Sequence, residues 1–287
     1  MIASKVVNDS QLFFAGPGQE AAVDSFGATT VQAPRSRAHG PRVSLLDVGF
    51  DPITLRQAIG RVEAMIMSRR PHYVVTPNVD FLVQSTADTN LRQILQQAHL
   101  VLCDGTPLVW ASRLLGQALP ERVAGADLVP ELIRAAARKK HRLFFLGATR
   151  EAAEQAVANV RASYPHLEVG FYSPPFRPLH EMDNDEIVNR IRAAEPDLLL
   201  VAFGCPKAEK WIASHYQELG VPVTIGVGAT IDFLAGRVKR APVWMRRSGL
   251  EWMFRLCQEP RRLFKRYLHD FLHFGGPLFR QWLHARA

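Results

Sequence analysis

Residues 198–230 read LLLVAFGCPKAEKWIASHYQELGVPVTIGVGAT, and this stretch decides the fold. An apolar run over 198–203 is followed by an amphipathic segment over 207–218 and by a second apolar run over 223–227. Short apolar runs bounded by turn residues are typical of buried strands, and the segment between them has the length and periodicity of a helix. The stretch therefore predicts a strand–helix–strand unit of a parallel sheet.

The same alternation continues back to Val43. It predicts strands at 73–76, 99–103, 142–146 and 168–171, and helices at 55–67, 79–97, 108–115, 127–138, 150–163 and 186–194. Strands alternating with helices predict an α/β, Rossmann-like fold, in which a mostly parallel sheet is covered by helices on both faces. We assign this core to residues 41–236. Residues 1–40 lack sustained periodicity, and we predict that they form a disordered leader.

Basic residues are concentrated near the C-terminus. Between residues 237 and 266, ten Lys and Arg residues oppose only Glu251 and Glu259, an excess of +8 that equals the formal net charge of the whole chain. Aromatic and aliphatic residues lie between them at helical spacing, a pattern that favours a membrane surface or a phosphate-bearing lipid. An ordinary helical pair with a solvated basic face would show the same pattern. We predict that residues 237–287 form a basic amphipathic helical appendage that binds a membrane surface or a phosphate-bearing lipid through Arg240, Arg246, Arg247, Arg255, Arg261 and Arg262.

Other features limit the class of protein. No run reaches the roughly 18 to 20 apolar residues needed to span a bilayer, and the N-terminus lacks a secretory pattern. The three cysteines, Cys103, Cys205 and Cys257, are far apart and form no C-x-x-C pair, so neither a disulfide framework nor a zinc ribbon is indicated. We therefore expect a cytoplasmic protein that is peripheral on the inner face of the plasma membrane.

Ligands of parallel sheets bind beyond the carboxyl ends of the strands. Five of the predicted strands end in polar or glycine-rich sequences, namely Thr76-Pro77-Asn78, Asp104-Gly105, Gly147, Gly204-Cys205-Pro206-Lys207 and Gly226-Val227-Gly228-Ala229-Thr230. Because all these ends meet at one edge of the sheet, the coincidence predicts a ligand site there.

Asp104 is the candidate catalytic group. A carboxylate at a strand end in a partly apolar cleft is expected to have a raised pKa and to serve as a general base. The alternative is that Asp104 caps the helix that starts near Pro107. Thr76 and Asn78 are well placed to bond a ligand, although Asn78 would equally cap the helix that follows it.

Gly226-x-Gly228 follows a strand, as in dinucleotide-binding folds, but Ile231 stands at the third glycine position and the expected acid is missing. The motif is therefore a weak indication of an oxidoreductase, and a better one of a backbone cradle for a diphosphate. Asp232 is placed to meet a sugar hydroxyl or to close the turn. Residues 183–185 (DND) match a metal-binding D-x-D pattern, but they open a helix, so capping explains them. A nucleic-acid-binding module would use the basic segment but would leave the strand ends unexplained.

An ordered set of motifs carries a resemblance to a known family. These motifs are 75–78 (VTPN), 104–107 (DGTP), 121–128 (ERVAGADL), 146–148 (LGA), 204–211 (GCPKAEKW), 226–232 (GVGATID), 235–242 (AGRVKRAP), 249–252 (GLEW) and 259–262 (EPRR). Over about residues 43–267 the chain resembles the bacterial WecG/TagA/CpsF-type glycosyltransferases, glycosyltransferase family 26. This family includes teichoic-acid N-acetylmannosaminyltransferases and exopolysaccharide glucosyltransferases.

The resemblance implies an inverting transfer, without metal or cofactor, from a UDP-sugar to a polyprenyl-diphosphate-linked sugar. It implies that Asp104 is the general base and that Thr76, Asn78 and Arg122 contact the donor or substrate; we expect Thr76 to assist the base. The strand-end residues Gly147, Lys207, Gly226, Gly228 and Asp232 complete the predicted substrate site. The resemblance also implies that the C-terminal segment with its arginines reaches the membrane and the acceptor. It implies no nucleic acid, and it leaves a homo-oligomer open. The family usually has Gln where this chain has Ala208. We therefore expect UDP-glucose and an exopolysaccharide role first, with N-acetylmannosamine or N-acetylmannosaminuronic acid as the alternative.

Overall fold

The computed structural model describes residues 41–284 and residue 286, so the leader predicted over 1–40 lies outside the described residues. The predicted alternation of strands and helices is confirmed. The strands are β1 (Val43–Leu45), β2 (Val48–Phe50), β3 (His72–Val75), β4 (Leu100–Val101), β5 (Leu143–Gly147), β6 (Val169–Tyr172), β7 (Leu198–Ala202) and β8 (Val223–Gly226). The helices are α1 (Leu55–Ser68), α2 (Val79–Ala87), α3 (Thr89–Gln97), α4 (Thr106–Leu114), α5 (Gly125–Lys139), α6 (Arg150–Ser163), α7 (Asn184–Ala194), α8 (Lys207–Leu219), α9 (Thr230–Leu234), α10 (Val243–Arg247), α11 (Glu251–Gln258) and α12 (Pro260–His284). A 3₁₀ turn lies at Leu179–Glu181.

Six strands form one sheet in the order β4-β3-β8-β7-β5-β6, and every pairing in it is parallel. The carboxyl ends of all six strands therefore lie at the same edge. The β1–β2 hairpin, which the periodicity did not predict, is a separate antiparallel pair. Strand β8 is the last strand in the sequence, but in the sheet it lies between β3 and β7. It therefore brings the loop before α9 next to the loop that follows β3.

The sheet is buried on both faces, which is why its strands are continuous apolar runs rather than alternating ones. In β7, Leu198 and Leu200 pack in one core cluster, whereas Leu199 and Val201 pack in the other. Helices α1, α5, α6 and α9 contribute to the first cluster, and α2, α3, α4, α7 and α8 contribute to the second. This confirms the α/β architecture with helices on both faces.

The single helix predicted over residues 79–97 is wrong, because Asp88 divides it into α2 and α3. Asp88 has an extended backbone; its N–H bonds to Gln84 O at the end of α2, and its carboxylate accepts a bond from Leu91 N at 2.9 Å. Its carboxylate also pairs with Lys210 at 2.7 Å. An Asp that caps one helix and pairs with another favours a break that the apolar periodicity alone does not show.

Helices α10–α12 pack against the α/β core. Met245, Leu263 and Phe274 are buried, and α12 lies against α2. Near the end of α12, the Gln281 amide accepts a hydrogen bond from Leu46 N at 3.0 Å and donates one to Ser44 O at 2.9 Å, which ties the helix to the β1–β2 hairpin. No helix of the described residues is long and apolar enough to cross a membrane.

Candidate active site

Three neighbouring strands bring Thr76, Asp104 and Thr230 to one part of the sheet edge. Thr76 follows β3, Asp104 lies beyond β4, and Thr230 opens α9 after β8. Backbone pairing continues past the strands, since Asp104 N donates to Pro77 O at 3.0 Å. Thr76 and Thr230 are buried, at 8% and 3% exposure. Two hydroxyl groups and one carboxyl group therefore lie together at the carboxyl ends of β3, β4 and β8.

The three side chains surround the first residue of α5. The Asp104 carboxylate accepts a hydrogen bond from Gly125 N–H. A Cβ atom added to Gly125 would lie 3.6 Å from the hydroxyl oxygens of both Thr76 and Thr230. Helix α4 begins after Gly105 with no side-chain cap. Asp104 is thus not the cap of α4 but stands at the N-terminus of α5, where the helix dipole favours a carboxylate.

The pKa of Asp104 is raised to about 6. Burial is the main cause; the positive charge of Arg122 opposes it, and the negative charge of Glu251 reinforces it. A carboxylate with this pKa is ionised above pH 6 and accepts a proton more readily than an ordinary Asp. Its electrostatics suit a general base at neutral pH.

Arg122 belongs to a group of five charged side chains beside Asp104. Its Nη1 donates to Glu251 Oε2 at 2.6 Å and its Nη2 to Asp127 Oδ2 at 2.7 Å. Arg240 Nη1 lies 2.7 Å from Asp127 Oδ1, and its Nη2 lies 3.2 Å from Glu251 Oε1. Arg246 Nη1 also contacts Asp127 Oδ1, at 3.2 Å. We call these five residues the arginine–carboxylate group.

The arginine–carboxylate group joins the C-terminal segment to the core. Arg240, Arg246 and Glu251 come from that segment, whereas Arg122 and Asp127 come from the core. Burial opposes ionisation of Asp127, but its hydrogen bond and charge interaction with Arg240 keep its pKa below the usual value. Similarly, burial opposes the charge on Arg122, yet the neighbouring carboxylates of Asp104 and Glu251 raise its pKa. Asp127 and Arg122 therefore both favour their charged forms.

Sequence reasoning assigned Arg122, Arg240 and Arg246 to the site but gave no role to Asp127 or Glu251. One signal was present: Glu251 is one of only two acids within the basic segment. Asp127 lay inside a quoted motif, two residues after Gly125. Neither position indicates by itself that the two carboxylates share two arginines, Arg122 and Arg240.

The other predicted arginines are placed differently. Arg255 and Arg240 both lie over the ring of Phe233, with their guanidinium carbons 5.7 and 5.8 Å from its centroid. Arg255 is therefore next to the arginine–carboxylate group. Arg261 is exposed in the first turn of α12. The side chains of Arg247 and Arg262 lie outside what the structure describes.

Lys207 and Gly147 lie at another part of the edge, after β7 and β5. The Lys207 ammonium donates to Arg177 O and lies over the rings of Phe176 and Phe203, 4.8 and 5.3 Å from their centroids. Burial lowers its pKa. Strands β7 and β5 are three and four places from β4 in the sheet, which at about 4.8 Å per strand separates Lys207 and Gly147 from Asp104 by about 14 and about 19 Å. The structure does not bring them together with Asp104.

Gly147 and Gly226 are explained by packing. Gly147 has φ +90°, and a Cβ there would lie 2.8 Å from the Phe203 ring. At Gly226 a Cβ would lie 2.6 Å from Glu209 Oε1, so the absence of a side chain here leaves room for a buried carboxyl group. Its part in a backbone cradle stays a prediction. Gly228 is different, because it is exposed, has φ +49° and would leave a Cβ in open space. Its backbone remains open to a ligand.

The remaining predicted positions have local roles. Asn78 caps α2, since its side chain accepts from Phe81 N at 3.3 Å. Asp232 lies partly buried in α9. Asp183 caps α7 by accepting from Glu186 N at 3.0 Å, as the capping explanation of the D-x-D pattern predicts. Among the residues that the structure describes, no group of three or more His, Cys, Asp or Glu side chains is arranged to hold a metal ion.

A parallel α/β sheet with a candidate base and clustered arginines at its carboxyl edge has the features of a group-transfer site. Comparison of the sequence with known protein families identifies the family. The family model described as "Glycosyl transferase WecG/TagA/CpsF family" matches residues 43–287, and the chain belongs to this family of glycosyltransferases.

Two similar proteins come from Staphylococcus aureus, strains MW2 and NCTC 8325 / PS 47. Each is an N-acetylglucosaminyldiphosphoundecaprenol N-acetyl-beta-D-mannosaminyltransferase. Each is 29% identical to this chain over 229 residues, which cover 79% of this chain and 89% of the relative.

Proposed function

We propose that this protein transfers a sugar from a UDP-sugar to a polyprenyl-diphosphate-linked sugar, with inversion, for cell-surface polysaccharide assembly. The observation that carries the proposal is Asp104, a half-buried base at the sheet edge, next to the arginine–carboxylate group. A base and a cluster of cations are what transfer from a nucleoside diphosphate requires. The base activates the acceptor hydroxyl, and the cations stabilise the leaving diphosphate.

N-acetylmannosamine is the donor sugar that we propose, with N-acetylglucosaminyl-diphospho-polyprenol as acceptor. The names of the Staphylococcus aureus relatives support it, and they favour this alternative over the expected UDP-glucose. The expectation of glucose rested on Ala208, which is 1% exposed and packs in the hydrophobic core. Because a core position does not face an open cleft, Ala208 is a poor basis for choosing the sugar.

In the proposed reaction Asp104 takes the proton from the acceptor hydroxyl as that oxygen attacks the anomeric carbon. The bond from oxygen to the anomeric carbon forms, and the bond from the anomeric carbon to the donor's β-phosphate oxygen breaks. The proton goes to Asp104, and UDP leaves with the electron pair. Attack from the face opposite the leaving group inverts the anomeric centre and gives a β-linked product. We propose that Thr76 orients the reacting hydroxyl, because its side chain lies next to Gly125, the residue whose N–H donates to Asp104.

The diphosphate charge is met by guanidinium groups in this proposal. Arg122 comes from the core, and Arg240 and Arg246 come from the C-terminal segment, so this segment supplies part of the site. Fixed cations in a partly buried site stabilise developing negative charge without reorganising during the reaction. The exposed backbone at Gly228 offers a further place for phosphate oxygens.

The C-terminal segment is also the proposed contact with the membrane that holds the acceptor. Its helices expose large apolar side chains between basic ones: Val243, Trp244, Trp252, Met253, Phe264, Leu268, Phe271, Leu272, Phe279 and Leu283. Apolar side chains that enter the interface beside cations that meet anionic lipid favour a peripheral position on the membrane. We propose that residues 237–287 serve as this appendage at the inner face of the plasma membrane.

The test supplies purified protein with UDP-N-acetylmannosamine, UDP-glucose or UDP-N-acetylmannosaminuronic acid, together with polyprenyl-diphospho-N-acetylglucosamine or -glucose. Released UDP and the lipid product are followed by mass spectrometry, with Asp104→Asn as the control. A β-linked lipid disaccharide formed with UDP-N-acetylmannosamine and lost in the variant is the expected result. Product from UDP-glucose alone would contradict the donor, and no UDP release with any pair from folded protein would contradict the function.

A further inference from the structure

We infer that Asp127 and Glu251 are positioning residues, which hold Arg122, Arg240 and Arg246 together as one preformed anion-binding group for substrate diphosphate. The nature of the anion rests on the proposed function; the existence of the group rests on the contacts of the five side chains. The inference assigns a role to two carboxylates that do not themselves touch the reacting atoms.

Each carboxylate bridges arginines that would otherwise repel one another. Asp127 contacts all three: Arg240 at 2.7 Å, Arg122 at 2.7 Å and Arg246 at 3.2 Å. Glu251 contacts Arg122 at 2.6 Å and Arg240 at 3.2 Å. The five side chains are between 12% and 28% exposed, so water screens their charges only in part. Without the carboxylates, three like charges in this space would separate.

The group retains a capacity for anions after these internal contacts. Three guanidinium groups carry about fifteen N–H donors, whereas two carboxylates offer about eight lone-pair sites. Two backbone carbonyls, Ala126 O and Ala241 O, accept one further bond each, from Arg240 and Arg246. The formal charge of the five side chains is +1, from three arginines and two carboxylates. Donors and positive charge therefore both remain in excess, and a diphosphate supplies the missing acceptors.

The two carboxylates approach from different parts of the fold. Asp127 is in the first turn of α5, and Glu251 opens α11. Arg122 is held between them, next to Asp104. The anion-binding group is thus complete only when α10 and α11 pack on the core, and Glu251 couples this packing to the position of Arg122.

The same geometry links Glu251 to the candidate base. The Glu251 charge raises the pKa of Asp104, and the Arg122 charge lowers it. Replacing Glu251 with Gln removes the first effect and therefore lowers the pKa of Asp104. The pH profile thus shows whether the charge of Glu251 acts on the candidate base, which a purely structural role would not do.

The experiment compares Glu251→Gln and Asp127→Asn with Glu131→Gln as the matched control. Glu131 is on α5 like Asp127 but pairs only with Arg134 among the described residues, at 2.9 and 3.0 Å on the outer side of the helix. Titration calorimetry with inorganic pyrophosphate measures affinity, and UDP release measures kcat/KM against pH. We expect both variants to lose about 10- to 100-fold in both quantities, the scale of a displaced binding group, and the control to match the wild type. We also expect the acidic limb of the Glu251→Gln profile to move to lower pH, and Glu251→Asp to recover part of the loss.

A simple charge effect predicts the opposite sign, because removing a carboxylate makes the site more positive and would tighten pyrophosphate binding. Equal or tighter binding in both variants, with unchanged kcat/KM, would overturn the inference. Hydrogen exchange over residues 243–258 shows whether Glu251→Gln releases this segment from the core. If it does, the affinity and kcat/KM of Asp127→Asn are used to test the inference. Pyrophosphate binding needs no turnover. If the wild type is inactive with every donor but the variants still lose affinity, the proposed function fails and the inference stands.

Discussion

Replacing Asp104 with Asn is expected to lower the rate and raise the stability together. Asn keeps the size of the side chain and an oxygen for the Gly125 N–H, but it cannot take a proton. Loss of a general base typically costs about 10² to 10⁴ in rate. In the wild type, kcat is expected to rise with pH through about 6 as Asp104 loses its proton, and the variant should lack this limb.

The stability change follows from the raised pKa. In the unfolded chain an Asp titrates near 3.9, and in the folded protein Asp104 titrates near 6. The folded state therefore holds this proton more tightly, and its stability falls as the pH rises from below 4 to above 6. At about 1.36 kcal/mol per pKa unit the fall amounts to about 3 kcal/mol. Asn is neutral throughout, so the variant should gain up to this amount at pH 8 and almost nothing at pH 4.

Two assays check this prediction. UDP release as a function of pH gives kcat, and thermal unfolding at pH 4 and pH 8 gives the stability difference. Asp47→Asn is the control, since Asp47 is an exposed acid (77% of its side chain) in a left-handed turn that Asn tolerates. An unchanged kcat would remove Asp104 from the mechanism. An equal stability difference at both pH values would show that folding does not raise the pKa of Asp104.

Further predictions concern other parts of the chain. Phe271→Ser should weaken sedimentation with anionic vesicles about 10-fold without lowering Tm, because Phe271 is 77% exposed; Met67→Ser on α1, 69% exposed, is the control, and equal losses would argue against a directed membrane face. Gly226→Ala should destabilise by about 1–3 kcal/mol in urea unfolding because its Cβ would meet Glu209. In a Glu209→Ala background that cost should shrink, and additive costs would refute the contact. Asp270→Asn should raise Tm by a few degrees at pH 8 but not at pH 4, since burial and a neighbouring carboxylate raise the pKa of Asp270 to about 6; a gain at pH 4 as well would point to another cause.

The fold could be predicted from the sequence to a large extent because the sheet is buried on both faces. Runs such as 198–202 are apolar throughout, and this local property marks strands wherever they pair. The break at Asp88 and the β1–β2 hairpin could not be predicted in this way, because they leave no long apolar run. A single capping carboxylate and two strands of three residues carry too little apolar periodicity to be recognised.

For the candidate site, the sequence predicted the edge of the sheet at which the side chains lie, but not which other side chains contact them. Asp104 and Thr76 were selected because each follows an apolar run, and parallel strands place such residues at one edge. Gly226 was selected in the same way, yet the structure explains it by the Glu209 carboxyl group from α8. A residue's place at a strand end is local information, whereas the neighbour that fills its space is not.

By itself, the sequence determined the α/β class, the edge at which the candidate residues lie and the basic character of the C-terminal segment, since hydrophobic periodicity and charge are properties of neighbouring residues. Only the tertiary structure decided that β8 lies beside β3, that Asp104 meets the start of α5, and that Glu251 contacts Arg122 from 129 positions away. Contacts over such separations depend on how the core clusters on the two faces of the sheet and the C-terminal helices α10–α12 pack together. No local pattern encodes the free energy of that arrangement.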